Sequence, residues 1–273
     1  MSQKTGELFA IYVEGETKTG KGAASAAVTS VLKDKGVSVY YDVAGDFFRR
    51  FVAIIRLELG LSDVDVLPPS GELTVTASKL YQNGKAFDVD FELGDLQRLA
   101  ISQSVSLLGE LPIAQQAASD WYSQSVKKAV ESGAKVLVLD GRNPRRHVEG
   151  HVKIQNVDVV TILDIYMTCD AEVAAERVLL CEGITNPSLD QIQTIVSNIT
   201  HRRELDRTRA EWPFVQPAHS INYIPGNRSA DEVIAESRKS SSVIPITLDN
   251  SVVSRLVLEQ SLAELTIAAL EAL

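Results

Sequence analysis

The chain is short of cysteine, with Cys169 and Cys181 alone in 273 residues. Two thiols cannot build the framework of a disulfide-stapled secreted domain, so a reduced, cytoplasmic setting is the expectation. Long apolar runs are missing too. No stretch approaches the roughly 18 uninterrupted apolar residues of a membrane span. Residues 1–16 hold no apolar segment that leads to a small-residue cleavage site. Neither a membrane partner nor a secretory signal is expected. Basic residues are in deficit, 27 Lys and Arg against 36 Asp and Glu, for a formal net charge of -9. That balance excludes a global pull toward nucleic acid, although a local basic cluster can still hold a small phosphate. Internal repeats and low-complexity tracts are absent.

What is present is ordinary globular material, 45% hydrophobic and 23% charged. That suffices for one large domain or for a core with an inserted subdomain. Residues 8–13 read as a buried strand, 21–34 as a helix stopped at Lys35-Gly36, 37–42 as a second strand and 46–59 as an amphipathic helix. The alternation is that of an α/β sheet. Residues 73–76 and 86–91 then alternate around Asn83-Gly84, which reads as a β-hairpin in an insertion over 62–93. Helices follow near 94–108 and 112–132, strands at 135–140 and within 158–167, and helices at 170–182 and 188–210. A last strand is expected at 220–224, a helix at 230–238, a linker at 240–251 and an amphipathic helix at 252–272. The domain expectation is a core over 1–61 and 94–240, the insertion at 62–93 and a C-terminal linker and helix at 241–273.

One motif carries chemistry. Gly15-Glu16-Thr17-Lys18-Thr19-Gly20-Lys21 fits G-x-x-x-x-G-K between a strand and a helix. Such glycines let backbone N–H groups turn inward around a phosphate, the Lys reaches the β- and γ-phosphates, and the helix N-terminus adds partial positive charge. Gly22 follows Lys21, so the hydroxyl that usually ligates Mg²⁺ directly is missing. Asp140 ends a core strand and could hold Mg²⁺ through water. Arg202, Asp206 and Arg209 share one helix face, where arginines can clamp an acceptor phosphate. Arg203 and Arg207 between them read as surface charge.

Together with "VLVLDGRN" and "HRRELDRTRAEWPF", these residues resemble the bacterial cytidylate kinases over about residues 8–237. The resemblance implies an α/β P-loop NTPase fold, with a helix-flanked parallel sheet, a small inserted subdomain for the nucleoside monophosphate and a lid near 181–200. It implies transfer of the ATP γ-phosphoryl group to CMP or dCMP with Mg²⁺. Residues 15–23, with Ala23 ending the loop, would then hold ATP alongside Arg177. Lys21, Arg142, Arg202, Asp206 and Arg209 would serve catalysis. Gly45, Arg49, Ser104, Arg142, Asn143, Arg202, Asp206 and Arg209 would bind the acceptor. The departures fall on base recognition. Ala44 stands for a serine, Phe48 for a tyrosine, Asn143 for an aspartate, and residues 114–116 offer no arginine. The acceptor could therefore be another small molecule, or the chain a nucleotide-binding protein with little turnover.

Weaker signals are set aside. His147 and His151 are four apart, but in what reads as a loop with no further ligands near. Trp121, Tyr122 and Trp212 read as packing residues, and both cysteines as ordinary, partly buried thiols. The C-terminal helix could dock on its own core or make a homo-oligomer.

Overall fold

The computed structural model describes residues 6–62, 67, 71–87, 99–153, 157–208, 214–240 and 242–273. Six strands among them form one sheet: β1 (Gly6–Gly15), β2 (Val39–Val43), β3 (Val136–Gly141), β4 (Val157–Thr168), β5 (Ile221–Tyr223) and β6 (Ile246–Asp249). Their order is β2-β3-β1-β4-β6-β5 and every neighbouring pair is parallel. Parallel neighbours require crossovers, and helices supply them. Helix α1 (Lys21–Asp34) links β1 to β2. Between β2 and β3 lie α2 (Ala44–Glu58), α3 (Gly71–Gln82), α4 (Leu99–Leu108) and α5 (Pro112–Glu131). Then come α6 (Pro144–His151) before β4, α7 (Ala171–Cys181) and α8 (Leu189–Arg207) before β5, α9 (Ala230–Ser237) before β6, and α10 (Arg255–Glu271).

The central strands are apolar on both faces because both are covered. Ile11 and Val13 of β1 and Val136 and Val138 of β3 pack toward α1 and α10, beside Val28, Leu32, Leu262 and Leu265. Leu8, Ala10, Tyr12, Leu137 and Leu139 pack the other way, on Tyr122 and Val126 of α5 and Val148 of α6. A separate apolar cluster joins α2, α3, α4 and the start of α5 around Phe47, Phe51, Ile55, Leu73, Leu80 and Leu108.

The structure corrects the sequence reading in several places. Residues 71–82 are helical, where alternation predicts a hairpin strand. The buried set, Leu73, Thr76, Ala77 and Leu80, has helical spacing, and Val75, which the alternating pattern would bury, is 68% exposed. Asn83-Gly84 stops that helix: the Gly84 N–H donates to the Tyr81 carbonyl at φ 73°. Lys85–Phe87 is a 3-10 turn, and residues 88–91 of the expected hairpin lie outside the described residues. The expected linker at 240–251 contains β6, whose Ile246 and Leu248 are fully buried, so the strand at 221–223 is the sheet edge and not the last strand in sequence. Residues 144–151 form a helix and not a loop, with Pro144 in its first turn. The C-terminal helix docks on its own chain, burying Leu258, Leu262, Leu265 and Ala269 against α1 and α9. Cys169 is buried as expected, but Cys181 is exposed.

The fold also places a crevice. From β1 the chain crosses over β3 to β2, returns to β3, then passes β1 to reach β4. The carboxyl ends of β1 and β3 therefore sit where the winding reverses, which is where open α/β sheets bind ligands.

Candidate active site

A cavity of about 470 Å³ opens at those strand ends. Its walls come from the turn after β1 (Thr17 to Gly22), the start of α2 (Ala44, Gly45, Asp46, Phe48, Arg49), the end of β3 and the turn beyond (Asp140 to Asn143), and Arg202 of α8. Segments remote in sequence converge because each follows the end of a neighbouring strand.

The first wall is a tightly held loop. Gly15, at φ 152°, lies against β4, and an added Cβ would come within 2.8 Å of the Met167 backbone nitrogen. Glu16 N–H donates to the Met167 carbonyl at 3.1 Å. The Thr19 hydroxyl donates to the Glu16 carbonyl at 3.0 Å. Gly20, at φ 89°, caps α1 in a left-handed conformation that favours glycine. Asn250, just after β6, donates its side-chain amide to the Thr19 carbonyl at 2.9 Å. The Lys21 ammonium folds back on the loop, donating to the carbonyls of Gly15 at 3.0 Å and Glu16 at 2.7 Å. Burial pulls its pKa down to about 8, opposed chiefly by the charge of Asp140.

Asp140 is 5% exposed and accepts from the Ser25 hydroxyl at 3.2 Å. Burial raises its pKa, with Lys21 and Ser25 opposing. A hard divalent cation held through waters and substrate phosphates needs no more than one or two protein carboxylates. Asp140, beside Lys21 and at the cavity wall, fits that role for Mg²⁺; Gly22 offers no hydroxyl. Among the described residues no group of three or more His, Cys, Asp or Glu side chains could cage a metal by itself.

The opposite wall is cationic. Arg142 donates to one carboxylate oxygen of Asp206 of α8 at 2.9 Å, forms an ion pair with the other at 2.6 Å, and donates to the Thr17 hydroxyl at 2.9 Å. Arg49 pairs with Asp46 at 2.6 Å beside Gly45. Arg202 lines the cavity and its Nε donates to the Ser106 hydroxyl at 3.3 Å. Lys18 also lines it, and its pKa is lowered by burial and by the charges of Arg202 and Arg49.

Most of the residues singled out in the sequence meet here. Gly15 and Asp206 stand beside the cavity without lining it, and the other exceptions are specific. Arg177 is not at the cavity: it donates to the carbonyls of Asn250 at 2.8 Å and Val253 at 3.2 Å, bracing the β6–α10 turn. Ser104 is fully buried and accepts from the Leu67 N–H at 3.0 Å. Ala23 lies behind the loop in the first turn of α1. Glu16 points toward α8, not into the cavity. Arg209 and Trp212 lie outside the described residues.

Sequence reasoning missed others. His147 is 2% exposed, lines the cavity, stacks on Tyr122 at 4.9 Å and lies 2.9 Å from the Ser119 hydroxyl. Its helical setting was the missing signal. Gln115 lines the same end, tied to the Gly109 carbonyl at 2.7 Å. Trp121 and Tyr122 pack as expected, Trp121 against Phe47 at 6.0 Å.

Glu14 is a further buried carboxyl, accepting from the Asn143 N–H at 3.0 Å and so holding Asn143 at φ 52°. Burial, reinforced by Asp164, pushes its pKa well above the usual carboxylate range. A raised carboxyl pKa means the folded state keeps a proton that the unfolded state has lost. Its contribution is thus most favourable in acid and declines as pH rises from that range toward neutrality and beyond. Glu14→Gln keeps an acceptor for Asn143 and removes the ionisation. Thermal melts should show Tm raised by about 2–4 °C at pH 8 and by less at pH 5. An equal shift at both pH values would refute the buried-carboxyl assignment.

No protein-family model and no curated protein matches the chain. Among solved structures, a protein of Chloroflexus aurantiacus J-10-fl, provisionally designated a kinase, is 11% identical. The match covers 95% of this chain and 94% of that one, with a TM-score of 0.36. Likeness of that order carries no inference about activity. The chain is thus a mixed α/β protein with a parallel sheet, and its functional reading rests on its own site.

Proposed function

We propose that the protein is an ATP-dependent phosphotransferase of the P-loop kinase type, with a nucleoside monophosphate as acceptor and CMP or dCMP the first candidates. The observation that carries this reading is the convergence of Lys21 and its glycine-framed loop with Asp140, Arg142, Arg49 and Arg202 around one cavity. Phosphoryl transfer asks for positioning and charge neutralisation more than for covalent chemistry, and this is the equipment present.

In this reading the loop N–H groups and Lys21 hold the donor phosphates. Lys21 would exchange its bonds to the Gly15 and Glu16 carbonyls for phosphate oxygens. Arg142, fixed by Asp206, and Arg202 would face the negative charge that spreads over the transferring group. Arg49 and Gly45 at the start of α2, with Asn143, would receive the acceptor. Asp140 would hold Mg²⁺, which when bound would supply positive charge to the donor phosphates. A lid over the α7–α8 connection would exclude water.

A second reading is favoured by Ala44, Asn143 and Gln115 at the acceptor end. They differ from the cytidylate kinase pattern, so the same chemistry could serve another small acceptor. Alternatively, the chain could bind nucleotide with little turnover. Purified protein given Mg-ATP and each nucleoside monophosphate in turn separates these readings. ADP release that depends on one acceptor is the expected result. ATP binding with no acceptor-dependent release from any nucleotide would leave the other readings standing instead.

A further inference from the structure

A carboxylate on a phosphate-binding loop has the wrong sign. On the phosphate-binding reading the loop N–H groups and Lys21 would attract an anion, whereas Glu16, second residue of the same loop, repels one. Its side chain is only 12% exposed, so water screens that repulsion poorly. The structure answers with two guanidiniums from α8. Arg203 approaches one carboxylate oxygen at 3.1 Å and Arg207 the other at 2.5 Å. Arg203 also donates to the Thr17 carbonyl at 3.2 Å. The main chain of Glu16 is engaged as well, its N–H by Met167 and its carbonyl by Thr19 and Lys21. The next residue but one, Lys18, stands at φ 63°, a left-handed conformation that is strained for a non-glycine residue and persists only where its neighbours are fixed.

We propose, on the phosphate-binding reading given above, that Glu16, Arg203 and Arg207 form a charge-compensated latch. Arg203 and Arg207 are positioning residues that hold the loop crest against α8 and cancel the one carboxylate within it. The latch also couples the loop to the helix that carries Arg202 and Asp206. Loss of Arg207 exposes part of the Glu16 charge to the bound phosphates, so nucleotide affinity falls. Removing that carboxylate in the same chain offsets the loss. A latch that only stiffened the fold would not show this offset.

The test is calorimetric titration of Mg-ATP into the full-length protein and its variants, read as Kd and not as turnover. Arg207 is half-exposed, so Arg207→Ala should fold normally. Arg203→Lys keeps the charge where Arg203→Ala could unfold the chain. Arg207→Ala should bind Mg-ATP roughly 5- to 10-fold more weakly, the scale of one charge-assisted hydrogen bond. The pair Glu16→Gln with Arg207→Ala should return to within about 2-fold of the wild type, whereas a latch that only stiffened the loop would leave it as weak as Arg207→Ala. Arg203→Lys should fall between Arg207→Ala and the wild type. Wild-type affinity in both Arg207→Ala and Arg203→Lys, or no rescue in the double variant, would overturn the latch. Lys21→Met, run alongside, isolates the parent reading. If it binds as the wild type does, or if the wild type binds no Mg-ATP, the phosphate-loop assignment fails and the latch with it.

Discussion

Lys21→Met lowers acceptor-dependent ADP formation by at least ~10²–10³-fold, the usual consequence of removing a preorganised charge from a transferring group. The variant also carries a pH signature that a general folding defect would not. Burial holds the Lys21 pKa near 8, below the ordinary lysine value of 10.5. Between those two pH values the unfolded chain binds a proton that the folded chain does not. Stability from this group therefore rises as pH climbs from about 8 toward 10.5 and is lost as pH falls back through 8. The wild type should show that rise in Tm, and Lys21→Met should lack it. Phosphate binding works in the opposite direction, since a nearby anion favours the charged lysine. At pH 9 the wild type should take up a proton on binding ATP, seen as a calorimetric enthalpy that changes with the buffer's ionisation enthalpy. Buffer-independent enthalpy at pH 9 would place Lys21 away from the phosphates.

Arg142→Met should impair both fold and activity, and the two effects can be separated. Asp206 is 1% exposed and is held by Arg142 through one hydrogen bond and an ion pair. Removing one partner of a buried pair leaves its charge uncompensated, at a cost of about 3–5 kcal/mol. Denaturant melts of Arg142→Met should show a loss on that scale. Adding Asp206→Leu removes the stranded charge, and most of the stability should return. Activity should not return, because the cation beside Thr17 is still missing. A double variant that recovers turnover would mean that Arg142 serves the fold alone.

The parts of this site that the sequence made legible are local ones. A strand, a glycine-framed loop and a helix follow one another directly, so Gly15 to Lys21 could be read from spacing. Asp140 and Arg142 end a strand, which set their place relative to the loop. The remainder depends on pairings across the fold. Arg203 and Arg207 look like solvated charge until α8 is seen to lie against the loop, because their partner Glu16 is 191 residues before Arg207. A separation of 64 residues likewise hides the pairing of Asp206 with Arg142 of another element. Asn250 supports the loop from just beyond β6, a strand that a serine run and Pro245 make resemble a linker. Helix α3 is not legible in the sequence because Leu73-Thr-Val-Thr fits a short strand as well as a helix turn. Only the burial of Ala77 and Leu80 decides between them.

The most direct test of the account is to follow the γ-phosphoryl group itself. Wild-type protein is incubated with Mg-ATP labelled at the γ-phosphate, with CMP, dCMP and the other nucleoside monophosphates in separate reactions, and the products are resolved. The account predicts label in a nucleoside diphosphate, formed in step with ADP and lost in Lys21→Met. Label found only in inorganic phosphate, or label transfer unaffected by Lys21→Met, would contradict it.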